Sequence, residues 1–119
     1  MSTVEQAPKA ELLPTTNQPE VSIGIISYNG RKIIELSIES LLRQTYKNFR
    51  IQLINNSSTD GTPEWVAERY PDIKILNLEN NGPNPARNLA ITSSSSNLVL
   101  LVDDDAILSD TCLEELVNA

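Results

Sequence analysis

Leu98-Val99-Leu100-Leu101-Val102-Asp103-Asp104-Asp105 sets five apolar residues in a row ahead of three carboxylates. A Val/Leu run of this length suits a strand buried on both faces of a parallel sheet, and the acids then fall just past its carboxyl end. In open α/β sheets that rim is where ligands bind. Adjacent carboxylates repel one another, so they take up protons or gather a counter-charge. No Lys or Arg follows them anywhere in the chain. The expected counter-charge is a divalent metal, and hard oxygen ligands favour Mn²⁺ or Mg²⁺.

Upstream, apolar and polar stretches alternate in a regular way. Val21 to Ser27 is rich in β-branched residues and reads as a first strand, with Tyr28-Asn29-Gly30 as the turn after it. From Arg31 to Gln44, Ile34, Ile38, Leu41 and Leu42 recur at helical spacing and predict a face that packs on the sheet. Phe49 to Ile54 predicts a second strand running into the turn-forming stretch Asn55 to Gly61. Thr62-Pro63 offers an N-cap and first helical proline for a short helix that Pro71 ends. Ile73 to Leu78 alternates as a third strand, and Asn84-Pro85 repeats the cap-and-proline signal ahead of Ala86 to Ile91. Ser109 or Asp110 can cap a last helix carrying Leu113, Leu116 and Val117.

The resulting order, β-α-β-α-β-α-β-α, predicts an α/β fold with a mainly parallel sheet and helices on both faces. In that arrangement Ser27 to Gly30, Asn55 to Gly61 and Asp103 to Asp105 meet on one rim. Carboxylates approach a diphosphate only through a bridging cation, whereas Asn and Asp side chains can bond a base or ribose, so a nucleoside diphosphate with its metal fits this rim. Arg87, the only basic residue between Lys74 and the end, stands near the start of a helix and can favour an anion or simply cover apolar surface. Tyr28 is either an edge aromatic in the core or a stacking surface for a base.

Composition removes several classes. The formal charge of -7 argues against nucleic acid and anionic membrane surfaces as partners. With no histidine, imidazole catalysis and Ser-His-Asp chemistry are excluded. The single cysteine, Cys112, reads as a packed thiol. P-loop and Gly-x-Gly-x-x-Gly patterns do not occur, and the acids lack the glycine and glutamate of an EF-hand loop. Met1 to Glu20, with Pro8, Pro14 and Pro19, reads as a flexible leader without a signal-peptide pattern, and no apolar run reaches transmembrane length. The expected compartment is the cytoplasm, with contact at the membrane left to a missing region or partner chain.

VSIGIISYNG, LLRQTYKNFRIQLINNSSTDGT, NNGPNPARNLA and LVDDDAIL, in this order and spacing, resemble the family 2 glycosyltransferases of the GT-A fold, from Val21 to the end. The resemblance implies a Rossmann-like half-domain over residues 21–119 that binds a nucleoside diphosphate sugar. It also implies transfer, with inversion, to an unknown acceptor hydroxyl on a glycan, a lipid or another molecule. Asp103 and Asp105 match the outer, metal-binding positions of the D-x-D signature, with Asp104 between them at the nucleotide. Tyr28 matches the aromatic that lies against the nucleotide base, with Ser27 and Asn29 beside it expected to bind the nucleotide. Asp60 matches the loop acid of S-T-D-G, and Arg87 with Asn88 the A-R-N element beside the nucleotide. Where the family usually has Asp-Asp or Asp-Asn, this chain has Asn55-Asn56, which leaves the base open because an amide both donates and accepts. No acidic catalytic base follows the D-x-D before Ala119, so the chain is expected to be the donor-binding half, incomplete at its carboxyl end. Two rival readings are a non-catalytic nucleotide-binding or protein-interaction module and a metal-dependent phosphotransfer enzyme.

Overall fold

A computed structural model describes residues 19–79 and 83–119, the side chain of Pro83 excepted. The expected alternation is present: β1 (Val21–Ser27), α1 (Ile34–Leu42), β2 (Phe49–Asn56), α2 (Thr62–Arg69), β3 (Lys74–Leu78), α3 (Pro83–Thr92), β4 (Leu98–Asp103) and α4 (Cys112–Val117). The strands form one sheet in the order β3-β2-β1-β4. Every pairing is parallel, with Ser27 opposite Asn55, Ile26 opposite Asp103 and Asn55 opposite Asn77. The chain steps outward from β1 to β3 and then crosses back to lay β4 on the other side of β1. That reversal is a topological switch point, and it opens a crevice beyond the carboxyl ends of β1 and β4.

Strand periodicity divides the core in two. Ile23, Ile25, Ile51 and Leu53 face α1, α2 and α4, where Ile34, Ile38, Leu41, Val66 and Leu113 complete one cluster. Alternate positions, Ile26, Ile54, Leu76 and Leu101, meet Ala86 and Ala90 of α3 on the opposite face. Each fully buried Ile or Leu contributes about 1.5–3 kcal/mol through the apolar surface it removes from water. Gly24 sets how closely α3 seats, since a Cβ there would stand 3.0 Å from the Cβ of Ala90 and 3.5 Å from Leu101 Cδ2.

Several sequence expectations change in detail. β4 is the edge strand rather than one buried on both faces: Leu98 is exposed, and among its residues only Val102 is fully buried. α1 starts later and ends earlier than Arg31 to Gln44, because the N–H groups of Ile33 and Ile34 both bond Gly30 O in a preceding turn. Leu42 is exposed, and the small buried Ser37 and Ser40 share the packing face with Ile34, Ile38 and Leu41. Thr62 lies inside α2, with Gly61 at the N-cap in a left-handed conformation at φ 84°. Asn84 and Pro85 also lie inside their helix, which begins at Pro83. Thr111, not Ser109 or Asp110, holds the N-cap position of α4. The expected leader falls outside the described residues except for Pro19 and Glu20; Glu20 pairs with Arg50 at 2.6 Å and accepts from Ser96 Oγ at 2.8 Å. No helix among the described residues is long and apolar enough to cross a membrane.

Candidate nucleotide and metal site

The loops after β1 and β2 are fastened to each other by short polar side chains. Asn29 takes a left-handed conformation at φ 53°, which Asn tolerates better than most residues. In that pose its N–H donates to Ser58 Oγ at 2.9 Å, and its Oδ1 accepts from Thr59 N–H at 2.8 Å. Asp60 extends the seam, accepting from Arg31 N–H at 3.0 Å and Thr62 N–H at 3.1 Å, and from the Thr62 hydroxyl. Burial alone would push the Asp60 carboxyl up, but these donors outweigh it and hold the group below the ordinary carboxylate range. Tyr28 is 57% exposed beside this seam, so its ring is a surface and not part of the core.

Asn55 and Asn56 belong to β2 itself rather than to the loop after it, and both are buried. Asn55 Nδ2 donates to Asn77 Oδ1 at 2.9 Å, and its Oδ1 accepts from Ser58 N–H at 3.2 Å. One lone pair of the Asn55 oxygen is thus already committed to the loop. Ser58, Thr59 and Arg31 complete the seam through a hydroxyl and two backbone N–H groups. The S-S-T-D-G run signalled a turn, but not the loop it would bind.

Across β1, the acids follow β4 in a tight turn closed by Ala106 N–H on Asp103 O at 3.1 Å. Asp103 and Asp105 are exposed, while Asp104 is half-buried and accepts from Ser27 Oγ at 2.8 Å. Among the described residues, Lys and Arg pair with Glu20, Glu35 and Asp110, never with these three acids. The seam and the acids therefore flank the switch point from both sides. Arg87 and Asn88 stand exposed on α3, and neither side chain hydrogen-bonds or ion-pairs with a described residue of the rim.

The donor chemistry suits a hard divalent cation. Among the described residues no three Asp, Glu, His or Cys side chains converge to hold an ion unaided. Two exposed carboxylates, Asp103 and Asp105, can supply part of an oxygen shell whose remaining positions go to phosphate oxygens and water, as Mg²⁺-type ions prefer. A cavity of about 390 Å³ lies at the opposite, amino-terminal end of the strands, lined by Ser22, Gln52, Lys74 and Ser93 among others. Its hydroxyls are bonded to neighbours: Ser94 Oγ donates to Ser22 Oγ at 2.7 Å and Ser93 Oγ to the Gln52 amide oxygen Oε1 at 3.0 Å.

A four-stranded parallel sheet carrying acids at its switch point defines a Rossmann-like α/β domain with a ligand rim. Solved structures share it. S. aureus TarS, in complexes with UDP and with UDP-GlcNAc, superposes with a TM-score of 0.75 at 29% identity over 83% of this chain. The mannosyltransferase PcManGT of Pyrobaculum calidifontis, in complex with GDP-Man and Mn²⁺, gives a TM-score of 0.73 at 26% identity over 85% of this chain. The fold is that of the GT-A glycosyltransferases. Glycosyl transferase family 2 matches residues 22–119, and the chain belongs to that family. A relative from Escherichia coli (strain K12), the uncharacterized glycosyltransferase YibD, is 33% identical over 110 residues, 90% of this chain. This chain spans about a third of each of these proteins: 31% of YibD, 31% of PcManGT and 31% of the TarS chain bound to UDP.

Proposed function

We propose that this chain forms the donor-binding part of a glycosyltransferase that moves a sugar from a nucleoside diphosphate to an acceptor hydroxyl, with inversion. The observation that carries the reading is the set of acids at the switch point, unpaired with Lys or Arg among the described residues and joined through β1 to the β1–β2 loop seam. TarS bound to UDP and PcManGT bound to GDP-Man and Mn²⁺ support it.

In this reading Asp103 and Asp105 hold Mn²⁺ or Mg²⁺ against the diphosphate, and Tyr28 offers its exposed ring to the base. Asn29, Asn55, Asn56 and Asp60 shape the base and ribose side, and Arg87 with Asn88 adds a cationic and amide contact from α3. A bound divalent ion supplies Lewis-acid stabilisation of the departing diphosphate. The chain's own residues orient the nucleotide and bring the leaving group to the acids. The catalytic base and the groups that select an acceptor lie outside the residues named here.

Titration calorimetry with UDP tests this. Binding is expected with Mn²⁺ present, with loss of at least about tenfold in affinity on chelation or in the Asp103→Ala/Asp105→Ala double variant. Equal affinity in that variant overturns the assignment.

A further inference from the structure

The acid turn is tied to β1 by a contact that the D-x-D spacing leaves unexplained. Ser27, wholly buried at the end of β1, donates its hydroxyl to Asp104 Oδ2 at 2.8 Å. Gly30 lies against both partners. A Cβ there would stand 2.6 Å from Ser27 Oγ and closer still to Asp104 Oδ2, so only glycine leaves the carboxylate its place. Among the described glycines the only positive φ is at Gly61, so Gly30 is required for space and not for backbone freedom. The same glycine starts the α1 turn, its carbonyl accepting from Ile33 at 3.0 Å and Ile34 at 2.8 Å.

The segment after the acids is fixed to α1 and to the residues just past its end as well. Leu108 N–H donates to Ser40 Oγ at 3.1 Å, Leu113 N–H to Gln44 Oε1 at 2.9 Å, and Gln44 Nε2 to Ser109 O at 2.6 Å. The turn Asp103–Ala106 is thus held at its middle by Ser27 and on its trailing side by Ser40 of α1 and by Gln44 just past the end of that helix. Asp103 and Asp105 remain exposed on either side of the held residue.

We propose that Asp104 is a positioning residue: its carboxylate, gripped by Ser27 Oγ over the bare Cα of Gly30, sets the turn that presents Asp103 and Asp105. Its consequence for metal and nucleotide rests on the donor-site reading above; the latch itself does not. What the latch requires of position 104 is a hydrogen-bond acceptor of the right length, not a charge.

Amide hydrogen exchange on the full chain without nucleotide reads the latch directly, with Ala106 N–H, bonded to Asp103 O, as reporter. Ser27→Ala and Asp104→Ala are expected to speed Ala106 exchange by about three- to tenfold, while Asp104→Asn, which keeps an acceptor oxygen, stays within about twofold of wild type. Unchanged exchange in both alanine variants, or Asp104→Asn exchanging as fast as Asp104→Ala, overturns the proposal. UDP titration with Mn²⁺ in Ser27→Ala adds a readout of position: affinity is expected to fall about threefold or more with the secondary-structure content unchanged by circular dichroism. The expected exchange pattern across the variants, with a wild-type chain that binds no UDP, sinks the donor-site reading and leaves the latch standing.

Discussion

Gln44→Leu is the sharpest perturbation of the frame behind the acids. Gln44 is fully buried, and its amide donates to Ser40 O at 3.1 Å and Ser109 O at 2.6 Å while accepting from Leu113 N–H at 2.9 Å. Leucine keeps most of the volume but makes none of these bonds. Ser109 O keeps the Cys112 N–H at 3.1 Å, whereas the buried Ser40 O and Leu113 N–H lose their partner. A buried unsatisfied group costs about 1–3 kcal/mol, so the two together cost roughly 2–6 kcal/mol. For a domain of this size that lowers Tm by at least about 10 °C. Urea unfolding followed by Trp65 fluorescence measures it, with Thr45→Ala as the control: the Thr45 hydroxyl also bonds α4, at Glu114, but does so in solvent. The control should lose under about 0.5 kcal/mol. A Gln44→Leu cost as small as the control's would mean that the acid turn is not hung from the end of α1 through this side chain.

Gly24→Ala pushes a methyl against Ala90 and should cost about 1–3 kcal/mol, part of it recovered in the Gly24→Ala/Ala90→Gly double variant despite the helical glycine; denaturant unfolding of the cycle checks the coupling. Burial and a 2.6 Å hydrogen bond to Glu39 push the Tyr70 phenol up to about 12, so the folded state favours the neutral ring. Its contribution is complete below the unfolded value of 10.0 and is lost as pH rises through about 12; unfolding at high pH should show a loss of ~1–2 kcal/mol that Tyr70→Phe removes. Asp60 runs the other way: its lowered folded value gives stability present above the ordinary carboxylate range and lost as pH falls through the folded value. Asp60→Ala should flatten that acid limb and cost about 0.5–2 kcal/mol at neutral pH, measured by thermal melts across the range.

The strand and helix order was legible because apolar runs and turn residues are local signals, and the acids after Val102 were placed at a carboxyl rim for the same reason. The edge status of β4 was not legible. Leu98 to Val102 reads like a central strand, yet its neighbours are set by the crossover from β3, which only the sheet order reveals. The site divided similarly. Asp103 and Asp105 stand exposed on the rim where the sequence reading put them, and Tyr28, whose residue type left core and surface open, is exposed there too. Asn55, read as a loop residue, proved to be a buried strand residue already bonded to Asn77 and Ser58. Gln44 and Gly30 were invisible as functional supports, since a buried amide and a missing Cβ acquire meaning only from atoms far away in sequence. Asp104 and Ser27 were both singled out, but the bond between them spans 77 positions and leaves no periodic trace.

The central claim, that nucleotide and metal meet at the carboxyl rim beside β1 and β4, is tested most directly by paramagnetic broadening of backbone amide signals on adding UDP with Mn²⁺. Broadening is expected at Ser27–Arg31, Asn56–Asp60 and Asp103–Ala106, with signals at Ser93–Ser96 and Phe49–Ile51 left sharp at the far end of the sheet. Broadening centred on Ser93–Ser96, or unchanged by Asp103→Ala/Asp105→Ala, would contradict it.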